Sequence, residues 1–348
     1  MKPFESLTPT GQARRLRLLA QEALQGYTLP GAQLTPLSQG HNTLFRVDAA
    51  DGLRYALRVQ RPGWGTVESV RSELLWLSAL QRETHLGVAG VVPTVAGDLL
   101  QVAAVECIPE PRICVLFNWI GGRSLNAGLM PGHLHRVGAL MAQMQDHSAR
   151  YALPNGFVRG RVYSLTNRVN KASRRGEPLL RGPARDHIDE QTAVELVASI
   201  CSSQDRALVE RALDRIHEAQ KSVGFGPNVY GLIHADLHQW NVHFRRDRVY
   251  ALDFDDCGWG HHLYDMAVTL SEIQGRENTP ALRTAFLAGY RSVLPLPGQH
   301  EEHLDAFITM RNLQNMTWRL ETRDFHQHRA NWQRQVHSIL KDVRQWVR

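Results

Sequence analysis

Apolar residues change their spacing along this chain, and each change marks an element. Over residues 11–26 basic and apolar groups recur at helical intervals, with Ala13, Leu16, Leu19 and Ala20 on one face. After Pro30 the period shortens, and residues 33–37, 44–47 and 54–59 read as three successive strands. The turn Ala50-Asp51-Gly52 joins the last two. Residues 66–80 return to helical spacing, with Val70, Leu74, Leu77 and Leu80 aligned and Thr66 placed to cap the first turn. Two further strands are predicted near 102–108 and 113–119, and from Pro131 the pattern is mainly helical. Short β-type runs at 230–233, 242–244 and 249–252 interrupt it. A β-rich first third and an α-rich remainder predict two lobes with a cleft between them. The junction is the apolar run 115–120, which ends in Gly121-Gly122. Residues 159–185 are polar and contain Gly and Pro, as an insertion or loop between helices would. No internal repeat or low-complexity segment is present.

Composition narrows the classes. With 348 residues, 43% hydrophobic and 21% charged, the chain is an ordinary globular protein with room for two domains. The opening MKPFESLTPTGQARR has no apolar core or small-residue cleavage site, so no secretory signal is expected there. No stretch approaches the roughly 20 apolar residues that cross a bilayer, so no membrane partner is expected. Cys107, Cys114, Cys201 and Cys257 lack C-x-x-C spacing and read as buried or incidental thiols in a reducing compartment, the cytoplasm. The net charge of +6 is spread among acids, and its densest cluster, Arg174-Arg175, is followed by Glu177. No nucleic-acid-binding motif accompanies it, so no nucleic acid is expected as partner. The 17 histidines show no H-E-x-x-H spacing, and His261-His262 are expected as loop residues.

Chemistry concentrates in residues 231–260, GLIHADLHQWNVHFRRDRVYALDFDDCGWG. A His-Ala-Asp is followed five residues after its Asp by an Asn, and twelve residues further on by Asp-Phe-Asp. The catalytic loop of protein kinases, H-R-D-x-x-x-x-N followed by D-F-G, has the same skeleton. Asp236 is the candidate base, and Asn241 and Asp253 are the candidate magnesium ligands. Any one of these residues alone would read as a turn residue. Together, between apolar runs in a strand–loop–strand hairpin, they are predicted to converge. Upstream, the loop 38–43 between the first two strands offers Ser38 and Gly40 to a phosphate, with a single glycine in place of G-x-G-x-x-G. In the third strand Tyr55-Ala56-Leu57-Arg58-Val59 aligns with the kinase V-A-I-K pattern, with Arg58 where lysine is usual. Glu73 on the next helix is its expected partner and Glu68 the reserve; the alternative is an exposed strand arginine.

With these residues in place the chain resembles the aminoglycoside phosphotransferase, choline kinase and type II homoserine kinase superfamily. LIHADLHQWNVHF, ALDFDDCGWG and the Tyr264-Asp265-Met266-Ala267 segment carry the resemblance, which covers roughly residues 30–325. It implies an α+β, protein-kinase-like two-lobed fold. The β-rich N-lobe would span 1–116, a hinge 117–122, and the mainly helical C-lobe 123–348. It also implies ATP and Mg2+ as cofactors. Asp236 would be the base, Asn241 and Asp253 the metal ligands, and Asp265 the support of the catalytic loop, while main-chain groups of Asn118 and Ile120 would meet adenine.

Two departures stand out: Arg58 itself, and Asp255 where protein kinases have the glycine of D-F-G, which argues against a mobile activation segment and leaves Asp255 a loop residue or a further metal-site carboxylate. The implied function is ATP-dependent phosphorylation of a small-molecule hydroxyl. The alternatives are a bacterial protein Ser/Thr kinase or a catalytically idle nucleotide-binding protein. A small acceptor is expected because few residues separate Asp253 from Tyr264-Asp265. The helical stretch 301–325 would close over it, with Glu301, Glu302, Asp305, Glu321 and Asp324 either meeting a cationic group or lying on solvated faces.

Overall fold

Helix α1 (Pro9–Leu24) starts where Thr8 accepts a bond from the Gly11 N–H and Pro9 supplies a preset first turn. This computed structural model describes residues 2–39, 42–125, 128–162, 190–322 and 331–348. Its contacts divide the chain into two compact units. The first holds Met1–Gly121 and Asn155–Val158, and the second holds Gly122–Pro154 and the described residues from Arg159 onward.

In the first unit, α1 is followed by β1 (Gln33–Gln39), β2 (Thr43–Asp48), β3 (Arg54–Val59), α2 (Val67–Glu83), β4 (Val91–Val92), β5 (Gln101–Ala103) and β6 (Arg112–Asn118). The strands form an antiparallel sheet in the order β1-β2-β3-β6-β4, with β5 also on β6. Side chains alternate across it, as the pleat requires. Phe45, Val47, Leu57, Val59, Cys114 and Leu116 bury themselves with Leu16, Leu19 and Ala20 of α1. Val115 instead joins Val70 and Leu74 of α2. Arg58, between Leu57 and Val59, is carried by the same alternation to the face where it meets Glu73 of α2. Thr66 caps α2 by accepting from the Ser69 N–H. The strand expected over 102–108 is corrected to Gln101–Ala103. It shares the edge of β6 with β4, and the chain then turns, the Ile108 N–H bonding to the Val105 carbonyl.

The second unit contains α3 (Pro131–Arg150), α4 (Glu190–Ile200), α5 (Ser203–Val223), β7 (Tyr230–Ile233), β8 (Val242–Arg245), β9 (Arg248–Ala251), β10 (Gly258–His261), α6 (His262–Ser271), α7 (Thr279–Arg291), α8 (Gly298–Glu301), α9 (Leu304–Glu321) and α10 (Trp332–Val347). Helices α3 and α7 touch backbone to backbone. A Cβ at Gly138 would lie 2.1 Å from the Phe286 carbonyl oxygen, and one at Gly289 would lie 1.9 Å from that of His135. Only glycine fits at either position.

The expected hairpin is also corrected. β7 pairs with β10, while β8 pairs with β9. Between β7 and β8 the chain passes through Ala235 at φ 65 and a tight turn over Gln239–Asn241, and β8 pairs with its sequence neighbour β9 and, through Phe244, with Arg123. His261 and His262 are not loop residues: they end β10 and begin α6, both buried. Among the described residues no helix is long and apolar enough to cross a membrane.

Candidate active site

The loop after β7 is shaped by one buried carboxylate. Asp265 on α6 is fully buried and accepts the N–H of His234 at 3.2 Å and that of Ala235 at 2.9 Å. Those two donors hold Ala235 in its left-handed conformation, which an alanine adopts at a cost. Burial pushes the Asp265 carboxyl up to about 6, against the lowering effect of these donors. The His234 ring accepts the Asp236 N–H at Nδ1 and lies 3.0 Å from the Leu252 carbonyl at Nε2, so Nε2 carries the proton. Burial keeps this ring neutral, pushing it down to about 4, and it rests against Phe254. The sequence from His234 to Asp236 is thereby fastened both to α6 and to the residue before Asp253.

Asp236 projects from this frame. Its Oδ1 accepts Arg311 Nη2 at 2.6 Å. Its Oδ2 lies 3.3 Å from both His238 Nε2 and Asn241 Nδ2. Burial alone would raise this carboxyl; the Arg311 guanidinium and His238 overcome that and hold it well below the usual carboxylate range. His238 is raised in turn, its bond to Asp236 outweighing burial. Asn241 donates Nδ2 to the Asp236 main-chain carbonyl at 2.9 Å, while its main-chain carbonyl accepts the Leu252 N–H at 2.9 Å. The amide is therefore oriented with Nδ2 toward Asp236 and Oδ1 turned to the other side.

Leu252 delivers Asp253, which is left-handed at φ 60 and opens a short turn over Phe254–Asp256. Arg159 pins that turn, donating to the carbonyls of Asp255 and Cys257 at 2.5 Å each. Asp255 itself is buried.

Asp236 and Asn241 thus touch, and Asp253 follows the residue bonded to both His234 and Asn241. In the first unit, Arg58 makes a two-point fork onto Glu73 at 2.8 and 2.9 Å, both side chains buried. Glu68 is exposed in the first turn of α2 and takes no part in the fork. Ser38 is exposed at the end of β1, paired with Leu44; Gly40 lies outside the described residues. Asn118 ends β6 with its N–H given to the Gly90 carbonyl at 2.8 Å, and Ile120 follows the strand. Of the acids proposed to meet a cationic acceptor, Glu301 bonds to Arg291 and Asp305 to Arg283 of α7. Glu302 is exposed, Glu321 ends α9, and Asp324 lies outside the described residues.

Arg311, His238 and Arg159 join the site without being expected from the sequence. Arg311 had a signal: it continues the buried face of α9 through Leu304, Phe307 and Ile308, a charged residue at an apolar position.

An antiparallel N-terminal sheet, a mainly helical C-terminal part and this loop with its Asp-Phe-Asp turn define the protein-kinase-like class of phosphotransferases. The profile of the phosphotransferase enzyme family matches residues 33–306. The chain belongs to that family and is a kinase-type phosphotransferase. It is 26% identical over 252 residues to the amicoumacin kinase of Bacillus subtilis, covering 72% of this chain and 66% of that protein. The structure of a microcompartment-associated aminopropanol kinase superposes with a TM-score of 0.74 at 25% identity, covering 95% of each chain. An amicoumacin kinase in complex with AMP-PNP, Ca2+ and Ami superposes with a TM-score of 0.77 at 18% identity, covering 98% of this chain and 96% of the other.

Proposed function

We propose that the chain transfers the γ-phosphoryl group of ATP to a hydroxyl of a small molecule, with Asp236 as the base. The observation that carries this reading is the Asp236–Asn241 contact on a loop clamped by Asp265, next to the turn opened by Asp253. The acceptor oxygen would form a bond to the γ-phosphorus while the bond to the β,γ-bridging oxygen breaks. ADP leaves, and the hydroxyl proton passes to Asp236 and then to solvent. A carboxylate held so far below its usual range is a weak base at equilibrium. Its work is to orient the hydroxyl and take the proton late, as suits a loose transition state.

The residues present fit magnesium. Asn241 turns Oδ1 away from Asp236, and Asp253 supplies a carboxylate. Among the described residues there is no cluster of three or more His, Cys, Asp or Glu that would make an all-protein cage. One amide and one carboxylate, with phosphate and water oxygens completing the shell, is the arrangement magnesium favours. When bound, the ion neutralises the phosphates. Arg58, positioned by Glu73, is the cation proposed for the α- and β-phosphates.

A small acceptor is favoured over a protein because β10 and α6 begin directly after the Asp-Phe-Asp turn, leaving no long segment on which to seat a peptide. The named activity of the aminopropanol kinase also supports a compact alcohol. The test is ATP consumption with a panel of amino alcohols, hydroxy acids, sugars, aminoglycosides and model proteins, run with wild type and Asp236→Asn. Turnover on a small alcohol that the variant loses is expected. Label transferred only to protein would overturn the reading.

A further inference from the structure

We infer that Arg311 is a positioning residue that keeps Asp236 from becoming a ligand of the nucleotide's metal ion, so that its carboxylate stays available to the acceptor hydroxyl. This rests on the reading of Asp236 as base and Asn241 as metal ligand. The two side chains are neighbours: Asp236 Oδ2 lies 3.3 Å from Asn241 Nδ2, whose amide offers its oxygen to the metal. A carboxylate so close to a divalent cation's ligand is drawn towards the cation. A base captured in this way would have its lone pairs engaged when the hydroxyl arrives.

Arg311 supplies the opposing pull on the other oxygen, Oδ1, at 2.6 Å. The guanidinium is itself fixed. Arg311 is 6% exposed, its Nη1 lies 3.4 Å from the Tyr264 hydroxyl, and that hydroxyl donates to Gln314 Oε1 at 2.5 Å. Tyr264 comes from α6, which also carries the Asp265 clamp, and Gln314 lies one turn along α9. The tether is therefore set by the same helices that set the loop, and the base cannot drag it towards the metal. Guanidinium suits the task because it stays charged at every working pH and keeps a fixed planar geometry. The competing account is a buried ion pair that only stabilises the fold.

The two accounts separate in a double-mutant cycle. Arg311→Met, Arg311→Lys, Asp236→Asn and the double variant Arg311→Met/Asp236→Asn are compared with wild type. Mn2+ affinity is measured by calorimetry in saturating AMP-PNP, and kcat and KM for ATP are measured with the acceptor found in the panel above or with water. Arg311→Met is expected to bind Mn2+ about tenfold more tightly, because one more carboxylate reaches the ion. Its kcat falls about 10²-fold while KM for ATP stays within about threefold. The tightening disappears when Asp236 is Asn, and Arg311→Lys restores wild-type Mn2+ affinity and part of the turnover. Unchanged or weaker Mn2+ binding in Arg311→Met overturns the inference, as does tightening that persists with Asn at 236. If Arg311→Met does not fold, Arg311→Gln replaces it, with the same outcomes deciding. Absence of any metal-dependent AMP-PNP binding by the wild-type protein would instead sink the function proposed above, and full activity of Asp236→Asn would remove Asp236 as base.

Discussion

Arg58 and Arg311 each pair with a carboxylate, and they do so in opposite senses. Arg58 makes a two-point fork with Glu73, and the two side chains are 4% and 1% exposed. There the carboxylate serves the arginine, fixing a cation on the face of a strand. Arg311 makes one short contact with Asp236, and the exposures are 7% and 19%. There the arginine, in the proposed mechanism, serves the carboxylate, which stays partly exposed. The difference lies in which partner keeps access to solute: neither in the first pair, Asp236 in the second. Bond count does not reveal it: the better-bonded pair is the more enclosed one.

Asp236→Asn should have the largest effect on turnover, a loss of about 10²–10⁴-fold, with ATP binding by calorimetry nearly unchanged. Comparable turnover in the variant would erase the contrast between the two pairs, since Asp236 would then be one more buried partner. Arg58→Ala sharpens the other side. It leaves Glu73 buried and unpaired, and the protein should lose about 3–5 kcal/mol of stability in urea unfolding. Arg58→Lys should keep measurable activity and lose less, because an ammonium keeps the charge but cannot form the fork. Equal behaviour of the two variants, both active, would make Arg58 purely structural.

Asp253→Ala should weaken nucleotide binding about tenfold in the presence of magnesium and little in its absence. Equal weakening in both would assign Asp253 to folding. A further effect concerns pH. Burial pushes His234, His261 and His262 down to about 4, so between about 4 and the ordinary histidine range the unfolded chain binds protons that the folded one does not. Stability is full above that range and is lost as pH falls through it. Asp265, pushed up to about 6, works in the opposite direction and cancels part of this. Each net proton contributes about 1.4 kcal/mol per pH unit, so the urea midpoint should drop between pH 7 and pH 5. A midpoint that rises over this interval would mean that the buried carboxyl outweighs the three rings.

Much of this was legible in the sequence because it is local. The Arg58–Glu73 pair follows from strand alternation and helix spacing in consecutive elements, 15 residues apart. The Asp236–Asn241 contact and the turn at Asp253 lie within one short motif. What failed was long-range. The pairing of β7 with β10 has no local signature, and the run after Val102 looks like a strand until β4 and β5 are seen to share one edge of β6. Arg311 stands 75 residues from Asp236, and the partners of Glu301 and Asp305 lie across a turn on another helix, 10 and 22 residues back on α7.

The Asp265 clamp has a consequence on the time axis. β7 keeps its amide hydrogens by bonding to a neighbouring strand, but the next two residues surrender theirs to a single side chain of α6. Exchange of those two amides with solvent deuterium requires that the carboxylate let go and that solvent reach it, and Asp265 is sealed from solvent while α6 stays packed. His234 and Ala235, although they lie in a loop, should therefore exchange as slowly as the helix core, and the geometry that presents Asp236 should last as long as that helix does.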